Sequence, residues 1–504
     1  MGFSIFFKEL AGLMDFYTIF TLSWSTMLGI IFGALPGLTG VMAISLLVGM
    51  TYEMSTQMAM VVLLGVYVGA IYGASKSAIL IGIPGTSAGA ATVLDGFKLA
   101  KKGEAGPAIG LATISSTIGT VFGMIFMVAL TPALANLALE FQTWEYFLLG
   151  VLGVVICGNL SAQGEPIKGW ISGFLGLLIA LVGLESMYAY PRFAYGNVQL
   201  MGGISFVPAM IGLFGMTEVI DTMRTLDKKA VLAKVKGIFP HWKDVYSNLR
   251  LTLQSGLVGV FIGIVPGAGE DIAAWVSYDV GRRTSKQPEK YGTGIPEGIV
   301  AAETANNACI GGALIPALSL GIPGSGPAAV LLSAIWLHGI RPGPLLMVES
   351  PNFIYMMSAI LLVASFMMCA LGLFVTAPMN KILKVPKEIL MPVVMVLAVI
   401  GSYAINLKMF DVVTMFAFGV LGYILRKVDV PAAPMVLGLI LGKMVDENIR
   451  RALVVSKGTL NTLFERPIAL ILFLLIIFML VTQSARVQKE LGKLVFWKKK
   501  VKTA

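Results

Sequence analysis

The chain twice interrupts an apolar stretch with nearly the same short sequence, first as Gly82-Ile83-Pro84-Gly85-Thr86-Ser87 and again as Gly321-Ile322-Pro323-Gly324-Ser325-Gly326. Two related breaks precede them, Gly33-Ala34-Leu35-Pro36-Gly37-Leu38-Thr39-Gly40 and Gly263-Ile264-Val265-Pro266-Gly267-Ala268-Gly269. Proline removes a backbone donor and glycine relaxes φ and ψ, so each Pro-Gly pair predicts the end of a helix. Interrupted helices inside apolar surroundings are tolerated only where they line a cavity or pack against protein.

The surroundings of these breaks are those of a membrane protein. The chain has 504 residues, of which 57% are hydrophobic and 13% charged, whereas soluble proteins carry about 25% charged residues. Apolar stretches recur from end to end, and the last of them, 466–482, is the most uniform. We therefore predict an all-α polytopic membrane protein with about 12 transmembrane segments. The net charge of +10 lies in short loops and the C-terminal tail, which indicates cytoplasmic loops on an anionic lipid surface rather than nucleic-acid binding.

The breaks belong to an internal duplication. Besides the two break pairs, Asn159-Leu160 matches Asn406-Leu407, and other short matches follow in the same order at offsets of about 226 to 247 residues. A fixed order of matches predicts a repeat. We assign 1–222 to the first membrane repeat, 223–250 to a basic cytoplasmic linker and 251–465 to the second repeat. Residues 466–504 are expected to form an extra transmembrane helix and a basic cytoplasmic tail.

Loop charges predict that the two repeats have inverted topology. The loop after the first break, 51–56, has no Lys or Arg, while its counterpart carries Arg282, Arg283, Lys286 and Lys290. The bias reverses at the next loop pair and reverses again at 135–145 against 380–388. Because short basic loops stay in the cytoplasm, equivalent loops are expected on opposite sides of the membrane. Pro36-Gly37 and Pro266-Gly267 then form the tips of two re-entrant hairpins.

The four breaks point to a central binding site. Helix starts after Gly85 and Gly324 present free N–H groups and a positive dipole end, both of which suit a carboxylate. Carbonyl groups at the preceding helix ends, with Asn306 and Asn307, are suited to Na⁺. The alternative for each break is closer helix packing through small residues. The residues expected to bind substrate are Pro36, Gly37, Thr39, Ser75, Lys76, Pro84, Gly85, Thr86, Ser87, Pro266, Gly267, Asn306, Asn307, Pro323, Gly324 and Ser325, and those expected to bind a cation are Asn306, Asn307, Glu270 and Asp271.

Two of the polar groups, Lys76 and Glu270-Asp271, have alternatives that the sequence leaves open. Lys76 is costly in an apolar stretch without a partner; it meets the substrate carboxylate, pairs with a helix C-terminus or extends to the membrane surface. Glu303 opens the polar band Glu303-Thr304-Ala305-Asn306-Asn307, which we expect to line the site. Glu270-Asp271 either binds a cation or proton or caps the next helix.

At these residues the chain resembles the large membrane subunit of the tripartite tricarboxylate transporter family. The resemblance covers nearly the whole chain and is most specific in Val265 to Leu345, which contains Gly311-Gly312-Ala313-Leu314-Ile315-Pro316 as well as the second pair of breaks. It implies cation-coupled uptake of carboxylates with Na⁺ or H⁺ as the coupling ion and no cofactor. It also implies a periplasmic solute-binding protein, a small membrane subunit and a bacterial inner-membrane location. Lys76, Gly82 and Glu270 depart from the family's usual residues, which leaves the substrate and the coupling ion open.

Two other classes are weighed against a transporter. A channel for small anions also uses inverted repeats with helix breaks, but it conducts without saturation and without a partner protein. An intramembrane protease, the enzyme alternative, needs a nucleophile with a base or two facing aspartates. The chain has only two histidines, and Asp271 and Asp279 lie in one short segment. The sequence leaves the carboxylate, the ion stoichiometry and the oligomeric state, a homodimer included, undetermined.

Overall fold

A computed structural model describes residues 2–35, 38–161, 165–224, 235, 237–375 and 387–482. This part of the chain is almost entirely helical; its one sheet pairs β1 (Gly183–Leu184) with β2 (Pro191–Arg192) in antiparallel register. The first half holds the helices α1 (Gly2–Gly12), α2 (Phe16–Ala34), α3 (Gly40–Val48), α4 (Thr56–Ile81), α5 (Ala90–Lys101), α6 (Ala105–Ala138), α7 (Thr143–Ser161), α8 (Pro166–Ala180), α9 (Val198–Met201), α10 (Phe206–Met210) and α11 (Thr217–Arg224). The second half holds α12 (Trp242–Ser247), α13 (Leu249–Ile264), α14 (Gly269–Thr284), α15 (Pro296–Leu320), α16 (Gly326–Leu337), α17 (Leu346–Glu349), α18 (Phe353–Phe374), α19 (Lys387–Asn406), α20 (Met409–Lys427), α21 (Ala432–Val455), α22 (Asn461–Glu465) and α23 (Pro467–Thr482).

Several of these helices have the length and composition of membrane spans. Among the described residues six are long and apolar enough to cross a bilayer, and seven further apolar helices are shorter. One of the six joins α10 to α11 through a π-helical stretch, Ile211–Met216. The predicted all-helical membrane class is confirmed. The count of about 12 spans stays a prediction.

The chain forms two compact units, each of which takes segments from both proposed halves. Unit 1 consists of Met1–Leu139 and Ile204–Val428, and unit 2 of Glu140–Gly203 and Asp429–Ala504. The predicted basic tail, the tip residues Pro36 and Gly37, and much of the predicted linker and of the loop 380–388 lie outside the described residues.

Unit 1 is built around α4 and α15, whose side chains are almost all buried. Glycines bring neighbouring helices into backbone contact with them. A Cβ at Gly119 of α6 would lie 2.3 Å from the Thr304 carbonyl oxygen of α15. A Cβ at Gly69 of α4 would lie 2.3 Å from the Thr26 carbonyl oxygen of α2. Small residues at helix crossings are the usual way in which membrane helices gain close packing.

The contact of α2 with α4 has a counterpart in the contact of α13 with α15. A Cβ at Gly33 would lie 2.0 Å from the Ala70 carbonyl oxygen, and one at Gly263 would lie 2.7 Å from the Cys309 carbonyl oxygen. On the other side of each crossing, Gly73 faces the Ile30 carbonyl oxygen and Gly312 faces that of Val260. The same glycine-to-carbonyl contacts therefore recur at matched positions, 230 residues apart on α2 and α13 and 239 apart on α4 and α15.

The hairpin formed by α13 and α14 turns at Val265–Ala268. The Ala268 N–H donates to the Val265 carbonyl oxygen at 3.2 Å, and Gly267 has a φ of 72°. Proline followed by a residue with positive φ is the sequence of a type II turn, which explains the Pro266-Gly267 pair. Leu38 donates to the Leu35 carbonyl oxygen at 3.1 Å in the corresponding place between α2 and α3.

One buried carboxylate anchors the loop that leads into α15. Asp95 of α5 accepts hydrogen bonds from the Tyr278 hydroxyl at 2.7 Å and from the N–H groups of Gly292, Gly294 and Ile295 at 3.0, 2.7 and 3.1 Å. Lys98 and Lys102 of the same helix donate to the carbonyl oxygens of Gly292 and Gly294. This set of bonds holds the start of α15, and so the polar band further along it, against α5.

Unit 2 packs α21 against α7 and α8, with α23 beside α7. Arg192, in the β-hairpin, makes two hydrogen bonds of 2.9 and 2.8 Å to the Asp446 carboxylate of α21. Arg466 pairs with the buried Glu145 of α7, and Trp144 donates to Thr462 at 2.9 Å. These polar contacts join the ends of the helices within this unit.

Candidate functional site

Two matched helix breaks in unit 1 form the framework of the site. α4 ends at Gly82 with a φ of 68°, and α15 ends at Gly321 with a φ of 72°. Both values are left-handed, a conformation that glycine adopts without strain at a helix C-terminus. Each break then continues as Ile-Pro-Gly to a residue with a hydroxyl side chain in extended conformation, Thr86 (φ −130°, ψ 166°) and Ser325 (φ −148°, ψ 167°).

The second glycine of each break touches the end of a neighbouring helix. A Cβ at Gly85 would lie 1.9 Å from the Gly33 carbonyl oxygen of α2, and one at Gly324 would lie 2.0 Å from the Gly263 carbonyl oxygen of α13. The Gly269 N–H also donates to the Gly324 carbonyl oxygen at 3.2 Å. Each of these two breaks thus packs against the end of the helix that leads into one of the two earlier Pro-Gly breaks. The sequence predicted that the four breaks come together, but not these contacts.

A buried polar cluster surrounds the second break. The Tyr67 hydroxyl of α4 donates to Glu270 Oε1 in the first turn of α14, and it lies 2.8 Å from Ser325 Oγ. Ser325 Oγ in turn accepts from the Ala328 N–H at 3.3 Å and so caps α16. Tyr67, Glu270 and Ser325 are all buried. This cluster joins α4, the hairpin and the break through side chains that come from both proposed repeats.

A second polar cluster lies beside the first break. Glu303 of α15 accepts hydrogen bonds from Thr92 at Oε1, and from Ser116 at 3.0 Å and Asn306 at 3.4 Å at Oε2. Asn306 Nδ2 also lies 3.5 Å from the Ala88 carbonyl oxygen, just after Thr86. The first break therefore contacts the polar band of α15, while the second contacts Tyr67 of α4, and these two contact positions are 239 residues apart.

Several buried polar atoms on α15 and in the first break have no hydrogen-bond partner among the described residues. They are Asn306 Oδ1, Asn307 Oδ1, Thr304 Oγ1 and Thr86 Oγ1. Asn307 uses its amide to donate to Thr120 Oγ1 at 2.9 Å, which leaves its oxygen as an acceptor only. An unpaired buried polar atom costs about 1–3 kcal/mol. The oxygens without a partner beside the first break, Thr86 Oγ1 and Asn306 Oδ1, therefore indicate a bound cation, substrate or water.

Most of the predicted site residues lie in or next to these two clusters. Pro84 and Pro323 lie within the breaks, Pro266 and Gly267 form the adjoining turn, and the Ser87 hydroxyl lies beside the partly exposed Asp271. Thr39 accepts from the Met42 N–H at 3.1 Å and caps α3.

Ser75 and Lys76 lie on α4, more than one helical turn before the first break at Gly82. The Ser75 hydroxyl donates to the Tyr72 carbonyl oxygen of its own helix at 2.7 Å. Lys76 Nζ donates to the Gly372 carbonyl oxygen in the last turn of α18 at 3.2 Å and lies 5.5 Å from the centroid of the Tyr72 ring. The Lys76 side chain is only 1% exposed, so its ammonium group lies inside unit 1.

Sequence reasoning missed three members of the site: Tyr67, Thr92 and Ser116. Tyr67 stands between Val66 and Val68 on an apolar helix, where a tyrosine is ordinary. The usable signal was its position, since Tyr67 precedes Gly82 by the same 15 residues by which Asn306 precedes Gly321.

The fold and the site together define the class of protein. An all-helical membrane protein whose two most buried long helices end at matched breaks, beside buried polar groups, has the architecture of a membrane transporter. The chain belongs to the tripartite tricarboxylate transporter TctA family, which matches residues 19–437. The resemblance seen in the sequence is confirmed, and the chain is a component of a tripartite tricarboxylate transporter.

Two similar proteins come from Agrobacterium vitis. One, described as an uncharacterized 52.8 kDa protein in the TAR-I ttuC' 3' region, is 34% identical over 446 residues, which is 88% of each chain. The other, an uncharacterized protein in the TAR-II ttuC' 3' region, is 36% identical over 211 residues, 42% of this chain and 87% of that protein. No solved structure matches.

Proposed function

We propose that this chain is the large membrane subunit of a secondary transporter that imports organic carboxylates. The substrates are di- or tricarboxylates, aromatic carboxylates included, and uptake is coupled to Na⁺ or H⁺. One observation carries the proposal: one of the two matched helix breaks lies beside buried oxygens that have no hydrogen-bond partner among the described residues. Structural packing alone accounts for the glycines of these breaks, but it gives no reason to keep unpaired oxygens next to them.

Carboxylate recognition is assigned to the helix starts after the breaks. α16 begins directly after Ser325, and the helical segment that continues into α5 begins directly after Thr86. At the start of α16 the Ser325 hydroxyl already accepts from the Ala328 N–H and Pro327 has no N–H, so the Gly326 N–H and the positive dipole end remain for an anion. A helix start favours an anion by about 0.3–2 kcal/mol, depending on burial. Two such starts suit a substrate with two or more carboxylate groups, and the Thr86 hydroxyl is available for a further hydrogen bond.

The coupling ion has two candidate positions. Asn306 Oδ1 and Asn307 Oδ1 are neutral oxygen atoms without a partner among the described residues, and hard cations are bound by oxygen ligands. Glu270 is a buried carboxylate that accepts a hydrogen bond from the Tyr67 hydroxyl, which also contacts Ser325. Buried carboxylates of this kind are found in proton relays. We favour Na⁺ at the asparagines because their carbonyl oxygens have no partner among the described residues, whereas Glu270 already accepts a hydrogen bond.

The architecture that we propose for transport is a pair of inverted repeats, 1–222 and 251–465, joined by the linker 223–250 in the bacterial inner membrane. The matched glycine contacts of α2 with α4 and of α13 with α15 support the duplication. The helices α13 and α14 have 16 residues each, a length of about 24 Å. This is shorter than the bilayer core of about 30 Å and supports a re-entrant hairpin.

The proposed orientation can be tested by cysteine labelling. With the native cysteines replaced, Gln142→Cys should react with a membrane-impermeant maleimide in intact spheroplasts, because 135–143 is expected on the periplasmic side. Lys243→Cys, in the linker, should react only after permeabilisation. Both side chains are exposed, so access across the membrane is what differs. Labelling of Lys243→Cys from outside would contradict the inverted-repeat proposal.

The proposed partners are a periplasmic solute-binding protein, which delivers the substrate, and a small membrane subunit. In proteoliposomes that hold both membrane subunits, uptake at micromolar citrate or succinate should be low, and addition of the cognate binding protein should raise it at least tenfold. A binding protein for an unrelated sugar is the control. Full high-affinity uptake without any binding protein would instead indicate a single-component carrier, and conductance without saturation would indicate a channel.

A further inference from the structure

A large groove on unit 1 has a lining that includes no residue of the breaks Gly82–Ser87 and Gly321–Gly326. It runs between α13 and α14 and along the loop before α15, and its volume is about 1240 Å³. Because α13 and α14 form the hairpin that ends in the Pro266-Gly267 turn, the groove follows the outside of an element that carries Glu270 at its tip. The carboxylate and cation sites described above do not use the side chains that line the groove.

One part of the groove is apolar and open to the surroundings. Val258, Val276 and Val280 line it, together with Leu257, which is 40% exposed, and Phe261, which is 62% exposed. In a membrane protein such side chains face hydrocarbon. A groove of this kind therefore accepts an apolar chain at little cost.

The other end of the groove is cationic. Arg250, Lys286 and Lys290 line it, all three side chains are exposed, and none makes an ion pair among the described residues. Glu297 is the one acidic side chain of the lining, so positive charge prevails. Gln254 and Thr284, 3.3 Å apart, bridge α13 and α14 between the charged and the apolar parts.

We propose that this groove binds one anionic phospholipid, with its phosphate at Arg250, Lys286 and Lys290 and an acyl chain along Leu257 and Phe261. The dimensions fit this ligand. Arg250 and Phe261 are 11 residues apart on α13, which is about 16 Å along the axis and close to the thickness of one leaflet of a bilayer core of about 30 Å. Basic pockets between membrane helices recognise anionic headgroups in this way.

A lipid fits the groove better than the other occupants do. A free phosphate ion would use only the cationic end and leave the apolar part without a function. A helix of a partner protein would cover the apolar part, but it offers no reason for three unpaired cations at one end. Only an amphipathic ligand with one anionic head satisfies both halves. The bound lipid fills the space between α13 and α14 and holds the hairpin that carries Glu270.

Lipid binding to the purified full chain tests the proposal without reference to transport. The variant Arg250→Gln/Lys286→Gln/Lys290→Gln removes the three groove charges, and Lys243→Gln/Arg282→Gln/Arg283→Gln removes three exposed charges that do not line the groove. Native mass spectrometry of delipidated protein, titrated with phosphatidylglycerol or phosphatidylcholine, gives the affinity of the first bound lipid. Size-exclusion chromatography checks that both variants are folded.

The groove variant should bind phosphatidylglycerol roughly a hundredfold more weakly, since each basic residue contributes about a factor of five. The control variant should lose less than threefold. Phosphatidylcholine should bind weakly to all three proteins, and glycerol phosphate should not compete. The proposal fails if the groove and control variants bind phosphatidylglycerol alike, or if both lipids bind equally. A second sample, the transporter assembled with its small membrane subunit, carries a photo-crosslinker at position 261. The proposal also fails if this crosslinker captures the small subunit in place of lipid.

Discussion

Replacement of Ser325 by leucine is expected to abolish carboxylate uptake while the protein remains inserted and folded. Ser325 lies at the start of α16 and contacts Tyr67, which in turn donates to Glu270. A leucine side chain there fills the space at the start of α16 that we assign to a substrate carboxylate. Initial uptake rates in proteoliposomes, normalised to the amount of inserted protein, should fall at least a hundredfold.

The magnitudes explain why function should fail before folding does. Loss of the Ser325 cap costs about 1 kcal/mol, and the larger side chain adds about 1–3 kcal/mol of overpacking. Together these remain below the roughly 5–15 kcal/mol by which folded proteins are stable. Exclusion of the substrate from its binding position, in contrast, removes the whole binding step.

Matched variants separate these effects. Thr86→Leu, at the corresponding position of the first break, should behave like Ser325→Leu. Ser333→Leu is a control on the same helix, because Ser333 is half-buried and, within the described part of the chain, its hydroxyl makes one hydrogen bond, to the Val330 carbonyl oxygen of its own helix. It should keep near-normal uptake. Near-normal uptake in both break variants would place the substrate elsewhere and return the Pro-Gly elements to a packing role.

The sequence predicted the helix breaks well because their signals are local. Gly82 and Gly321 end their helices with a positive φ. Few residues other than glycine adopt a positive φ without strain, so the identity of one residue is enough to predict each helix end. The turn at Val265–Ala268 follows in the same way from Pro266-Gly267. The membrane class follows from composition alone. These inferences require no knowledge of which segments meet in space.

The contacts that complete the site could not be predicted from the sequence, because the residues that make them are far apart along the chain. Glu303 was recognised as part of a polar band, but its hydrogen-bond donors Thr92 and Ser116 come from α5 and α6, and each is one small polar residue among many. For Lys76 the sequence left three alternatives open, one of which was a helix C-terminus. Lys76 Nζ donates to the Gly372 carbonyl oxygen in the last turn of α18, and the sequence could not identify that helix because a backbone acceptor leaves no side-chain pattern.

The second large effect is expected for the coupling ion. Substitution of Asn306 or Asn307 by alanine should raise the Na⁺ concentration that gives half-maximal uptake roughly tenfold to a hundredfold, the range seen when groups around a bound metal ion are removed. Both side chains are fully buried on α15, and their carbonyl oxygens lack partners among the described residues. An acceptor oxygen left unpaired in the interior costs about 1–3 kcal/mol, and the Na⁺ ion that we propose at these amides would offset that cost.

The same reasoning predicts the stability of these variants. If Na⁺ binds there, the ion should raise the melting temperature of the unmodified protein, and this rise should be lost in Asn307→Ala, while the ion-free protein melts as before or slightly higher. Glu270→Gln distinguishes the rival position, because it should leave the Na⁺ dependence unchanged. Asn406→Ala is the control, since that asparagine bonds to Asp411 and lies away from α15. If uptake by Asn306→Ala and Asn307→Ala keeps its normal Na⁺ dependence while Glu270→Gln loses all dependence on a proton gradient, the coupling ion is H⁺ and its position is Glu270.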